Sequence, residues 1–249
     1  IWFPYGNVIA ALLALGMAAL AVTWNMQLLL ILVPAIAYGI IMWPAEYPET
    51  EGVAAGVSVG EMLKACFTSP VMLLMLGMMF ITASLELPAT GWIIPILEAS
   101  GGVNGILIFA FIFGIMGTLR LLAGPVERRL RPSGILFFGA ILATIGLYMF
   151  SRAQGTAMLF LTAAIWAAGI AYFWPTMLAY VSERNPKSGA LGLGLMGAMG
   201  MAASFLMAPV IGQQTDQLGF PELEEQAVVS VFQQAQTALA DVSATGDAG

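Results

Sequence analysis

Glu86 is the only acid in an otherwise apolar run from Pro70 to Leu97, and it sits near the middle of that run. A charge held at that depth in hydrocarbon costs a few kcal/mol or more. A carboxyl in such a setting can take up and release a proton during a working cycle, or it can be hydrogen-bonded between helices for structure alone. Pro88, Gly91 and Pro95 follow in the same run. Each weakens the backbone ladder of a helix, so a kink or break is expected there, serving a binding site or gate or simply packing. Trp92, beside that break, offers a ring face to a solute or an anchor at the membrane interface.

A second aromatic cluster, Tyr172, Phe173 and Trp174, sits at a second expected helix breaker, Pro175. Aromatic faces hold ring-bearing solutes, and an aromatic belt at a membrane surface uses the same residues. Arg120 lies one turn before Gly124. It is expected either to anchor a helix end at the headgroups or to pair with Glu127 or Glu183 and hold one face of the protein shut.

Much chemistry is excluded by what is missing. The chain has no histidine and one cysteine, Cys66, so an internal disulfide cannot form and the usual metal constellations cannot be assembled. Asp216, Asp241 and Asp247 are the only aspartates and all lie in the tail, which removes an aspartyl dyad from any apolar segment. Without histidine there is neither a Ser-His pair nor a haem-ligating pair. Neither an enzyme, nor a cofactor, nor a bound metal is expected. Eight basic residues in 249 make nucleic acid an implausible partner, and no repeated polar row suggests a channel.

The elements that position these residues follow from composition. The sequence is 60% hydrophobic and 9% charged, with a mean hydropathy of +0.91, whereas soluble domains carry roughly a quarter charged residues. Residues 1 to 45 contain no Asp, Glu, Lys or Arg. About 20 apolar residues cross a hydrocarbon core as a helix, and seven stretches qualify: 3 to 22, 26 to 43, 70 to 98, 104 to 123, 133 to 151, 156 to 181 and 188 to 212. The fold class expected is an all-α, polytopic membrane helix bundle. Short connectors, including 124 to 132 and 182 to 187, make neighbouring spans antiparallel. The exception is 44 to 69, which reads as a polar linker ending in a short amphipathic surface helix over Glu61 to Phe67.

Basic residues set the orientation, because they are retained on the cytoplasmic side. Alternate connectors hold Lys64, Arg120, Arg128, Arg129, Arg131, Arg184 and Lys187, and the opposite set holds only Arg152. The linker is therefore expected in the cytoplasm and the acidic tail, 214 to 249, on the other side of the cell or inner membrane. Within the tail, Pro221 to Leu239 has the pattern of an amphipathic helix. In the last span Ala190, Gly194, Ala198 and Ala202 recur every fourth residue, a small-residue ridge suited to close helix approach or sliding. The chain begins with Ile1, and no charged n-region precedes the first apolar run, so it reads as an excerpt from something longer.

The turn GPVERRLRP, with Gly124, Pro125, Glu127, Arg128 and Arg131, resembles the cytoplasmic G-x-x-x-D-R-x-G-R turn of the major facilitator superfamily, with Glu127 for Asp and Leu130 for a glycine. Acid-then-proline helix endings, Glu46 with Pro48 and Glu183 with Pro186, fall at equivalent places in the two halves, as the family's internal repeat implies. The resemblance implies two six-helix halves joined by a long cytoplasmic loop, here 44 to 69. It places residues 1 to 43 at the end of the first half and 70 to 213 in the second, covering the fifth to eleventh helices. It further implies a monomeric transporter of a small solute by alternating access. Glu86, Trp92, Tyr172 and Trp174 would then contact proton or substrate, with Arg120, Gly124, Glu127, Arg128, Arg131, Glu183 and Arg184 at the cytoplasmic gate. Proton-coupled uptake of a sugar-like or nucleoside-like solute is the first expectation. Drug or metabolite efflux, or a membrane scaffold that transports nothing, is the alternative.

Overall fold

The computed structural model describes residues 2–46, 50, 56–99, 103–219 and 236. Among them every regular element is a helix. In chain order these are α1 (Trp2–Ala19), α2 (Trp24–Leu29), α3 (Leu32–Met42), α4 (Val59–Thr68), α5 (Pro70–Ala99), α6 (Gly105–Leu121), α7 (Ala123–Arg129), α8 (Pro132–Ser151), α9 (Thr156–Ile170), α10 (Phe173–Arg184), a 3₁₀ turn (Pro186–Ser188) and α11 (Gly189–Gly219). The chain divides into two compact units, Ile1–Ser204 and Phe205–Gly249.

Six helical segments are long and apolar enough to cross a membrane, and a seventh is reached if α6 and α7, bent by 61°, count as one. The protein is thus a multi-pass helical membrane protein. Local sequence marks several helix starts. The Asn104 side chain accepts from the Ile106 and Leu107 amides, capping α6. Ser58 and Glu61 form a reciprocal capping box on α4, and the two hydrogen bonds from Ser58 hold the Glu61 carboxyl below the usual carboxylate range, with Lys187 adding to them. Asn185 Nδ2 also donates to the Ala65 carbonyl at 3.3 Å, fixing α4 against the turn that follows α10. Gly155, at φ +80°, takes the left-handed conformation that lets the chain reverse before α9.

The core rests on close helix approach. A Cβ at Gly146 of α8 would stand 2.4 Å from the Trp166 amide nitrogen, and one at Gly169 of α9 would stand 2.2 Å from the Ala143 nitrogen. Only glycine lets these two backbones meet. On the other side, α1 packs on α6, with the Tyr5 ring over Gly117 and Phe3 edge-on to Phe113 at 6.1 Å between centroids. Along the span formed by α2 and α3 no residue is buried.

Several expectations are corrected. Of the kink or break expected at Pro88, Gly91 and Pro95, the break is absent: α5 continues as one helix of 30 residues through all three. Membrane helices tolerate proline where neighbouring helices, Ser/Thr side chains or local adjustments of the turn re-satisfy the freed backbone groups. The break expected at Pro175 does occur in the sixth span, between α9 and α10 at Ala171 and Tyr172, and Pro175 lies in the first turn of the new helix, where proline is tolerated. The connector 124 to 132 contains α7, and the second span is two helices rather than one. The ridge Ala190, Gly194, Ala198 and Ala202 is exposed; α11 turns Gly192, Met196, Gly200 and Ala203 inward, because that face meets Ser188 and Trp174. The tail stretch 221 to 239, apart from position 236, and Pro48 lie outside the described residues.

Replacing Gly146 or Gly169 by alanine is expected to lower unfolding stability in detergent by about 1–3 kcal/mol through overpacking. Gly194→Ala, which meets nothing within 4 Å, should leave it level or slightly raised. Thermal midpoints of the three variants check this, and equal midpoints would contradict the close crossing.

Candidate functional site

Proline has no N–H, so the carbonyl of the residue four positions before it loses its helical partner. For Pro175 that carbonyl belongs to Ala171. Arg120, near the end of α6, donates from Nε to the Ala171 oxygen at 2.7 Å. The tie is reciprocal, since the Tyr172 hydroxyl donates back to the Leu119 carbonyl. That carbonyl lies in the last turn of α6 and also accepts from the Leu122 N–H at 2.9 Å. Two side chains thus bind the end of α6 to the break between α9 and α10.

Arg120 is 8% exposed and Glu86 2% exposed. Both line one cavity of about 260 Å³, with Phe3, Leu87, Trp174 and Met201, and each is the opposite charge that acts on the other. The Trp174 indole N–H lies within reach of the Glu86 carboxyl but short of hydrogen-bond geometry, and both Glu86 Oε2 and Trp174 Nε1 are buried without a hydrogen-bond partner among the described residues. Apolar walls therefore enclose a carboxyl oxygen that accepts, an indole that donates, and a guanidinium with donors to spare. Thr90 Oγ1 bonds the Glu86 carbonyl, holding the α5 backbone beneath the site.

The candidate residues separate into two groups. Glu86, Arg120 and Trp174 converge on the cavity, and Tyr172, at the α9–α10 break beside it, bonds to α6. Trp92 is half-buried and does not line the cavity; six residues beyond Glu86, it points about 120° away round the helix. Pro88 is buried, while Gly91 and Pro95 are exposed. Gly124, Glu127, Arg128 and Arg131 are exposed on or beside α7, and Glu183 and Arg184 at the end of α10. Arg184 stacks over the Tyr180 ring at 5.6 Å. The pairing of Arg120 with Glu127 or Glu183 is corrected: the charge acting on Arg120 is Glu86, and that of Glu127 reaches Tyr172 instead.

Sequence reasoning did not anticipate Phe3, Leu87 or Met201, which are apolar residues brought in from three helices. A second cavity, about 410 Å³, lies between α5, α8 and α10 among Leu74, Met78, Thr82, Phe137, Phe173 and Tyr180. It is larger but carries no charged side chain. No group of three or more potential metal ligands occurs among the described residues. Comparison with protein-family models, curated proteins and solved structures gave no match.

Removing the Arg120 fork strands the Ala171 carbonyl, at a cost of about 1–3 kcal/mol. Pro175→Ala restores an N–H four residues beyond Ala171 and should make that loss smaller. Unfolding free energies of Arg120→Gln alone and in the Pro175→Ala background check this; an equal loss in both backgrounds would contradict the capping role.

Proposed function

We propose that this chain is part of a secondary active transporter that moves a small solute across a cell or inner membrane by alternating access. The observation that carries the reading is that Glu86 and Arg120, from different membrane-crossing helices, line one cavity at a helix break. A buried charge pair has little stabilising value, because desolvation offsets much of its attraction. Its value lies in being switchable. A proton or a solute that engages Glu86 alters what Arg120 must compensate, and Arg120 also holds the joint between α9 and α10.

On this reading Glu86 exchanges a proton or contacts the solute, Trp174 forms a wall, and Tyr172 and Arg120 transmit the change to the α9–α10 joint. Intramembrane carboxyls commonly mark proton and substrate paths, and discontinuous helices commonly flank transporter sites. The GPVERRLRP turn and the long 44–69 linker support placing the chain in the major facilitator superfamily, over the fifth to eleventh helices of a monomer. The linker would then be cytoplasmic and the acidic tail extracytoplasmic, as the basic residues indicate. A sugar-like or nucleoside-like solute taken up with protons is the first choice. Efflux of amphipathic drugs or metabolites is the second reading, favoured by the larger uncharged cavity between α5, α8 and α10.

Proton-driven uptake in vesicles is expected to fall roughly tenfold or more in Glu86→Gln, the scale of losing a proton-transfer group, with membrane expression unchanged. Solute exchange without a proton gradient should persist. Full retention of gradient-driven uptake in Glu86→Gln would remove proton coupling from the account.

A further inference from the structure

Gly200 stands where α11 meets Trp174. A Cβ there would lie 2.4 Å from Trp174 Cη2, 2.7 Å from Cζ2 and 3.4 Å from Cζ3. These three atoms form the outer edge of the six-membered ring, so the indole rests flush against bare backbone. Gly194 and Gly197 on the same helix meet nothing within 4 Å, and Gly192 meets chiefly Ser188, just before it in the chain. Gly200 is therefore an α11 glycine whose missing side chain is filled by an aromatic from another helix. That aromatic forms a wall of the cavity with Glu86 and Arg120, and Met201, the next residue of α11, also lines it.

We infer that Gly200 is a size-determining residue for this cavity: by seating Trp174 it sets how large a group can reach Glu86. Carbon atoms in contact settle about 3.5–4.0 Å apart, so any side chain at position 200 must displace the rigid indole by roughly an ångström or more. With α11 behind it, the ring moves toward Glu86 and Arg120 and takes volume from the cavity. The inference rests on the reading of that cavity as a solute site, but its test does not require transport.

Carbodiimides add to a protonated carboxyl, the carboxyl oxygen bonding the central carbon while the proton passes to nitrogen, and rearrangement leaves a stable N-acylurea. Labelling of Glu86 in the purified full chain in detergent, read by peptide mass spectrometry, reports access for probes of chosen bulk. With diisopropylcarbodiimide and the larger dicyclohexylcarbodiimide, Gly200→Ala is expected to cut labelling by the larger reagent several-fold more than by the smaller. Adding Trp174→Phe to Gly200→Ala should restore the wild-type ratio. Trp174→Phe alone should favour the larger reagent beyond wild type, which keeps the test decisive if Gly200→Ala fails to fold. An unchanged reagent ratio in Gly200→Ala, no rescue by Trp174→Phe, no shift in Trp174→Phe alone, or wild-type Glu86 inert to both reagents would each overturn the inference. Wild-type protein that shows the size selectivity yet transports nothing would instead sink the transport reading and leave the role of Gly200 standing.

Discussion

A lipid-facing bundle has no water at depth to solvate a charge, so a carboxylate and a guanidinium can be kept there only where the protein supplies the counter-charge and the hydrogen bonds. Glu86 and Arg120 meet that constraint together. The two line one cavity, and Arg120 also spends its Nε on the Ala171 carbonyl. The remaining architecture follows from holding these two side chains in place. The Asn104 cap makes α5 and α6 an antiparallel pair, and Glu86 and Arg120 lie nearly equidistant from it along the chain. The end of the 17-residue α6 therefore falls beside the middle of the 30-residue α5.

The break at Ala171 and Tyr172 and the bend between α6 and α7 are two sides of one joint. Pro175 removes the donor that Ala171 would use, and Arg120 supplies one from across the gap. Tyr172 adds a second donor to the Leu119 carbonyl, which also accepts from the Leu122 N–H. The joint is made from two side-chain bonds, one of them from a guanidinium that lines the same cavity as Glu86. By contrast, the α8–α9 contact is backbone against backbone at Gly146 and Gly169 and has no such freedom. The fold thus sets a close-packed helix pair beside a jointed one.

The spans were legible because hydrocarbon thickness fixes their length whatever their neighbours do, and the α4 helix because its cap is local. Glu86 stood out as a lone acid in an apolar run. Pro175 was legible as a breaker, but Pro88 and Pro95 look like breakers by the same local rules and lie within one continuous helix; the break before Pro175 is held by a residue some fifty positions away, which no local rule reveals. Arg120 reads as a helix-end anchor because it is one turn from Gly124; only the unequal lengths of α5 and α6 bring that end to the depth of Glu86. The inward face of α11 was also hidden. Ala190, Gly194, Ala198 and Ala202 form the more regular ridge, but the side that packs is chosen by Trp174 and Ser188, which no periodicity within α11 reveals.

The claim that Glu86 and Arg120 compensate each other is tested most directly by a double-mutant cycle in detergent unfolding, using Glu86→Gln, Arg120→Gln and the pair. Removing one partner leaves an uncompensated buried charge, at a cost of about 3–5 kcal/mol, whereas removing both leaves none. The double variant should therefore be more stable than the sum of the single losses allows, recovering most of what either one gives up. Additive losses would mean that the two charges do not meet, and the account built on them would fail.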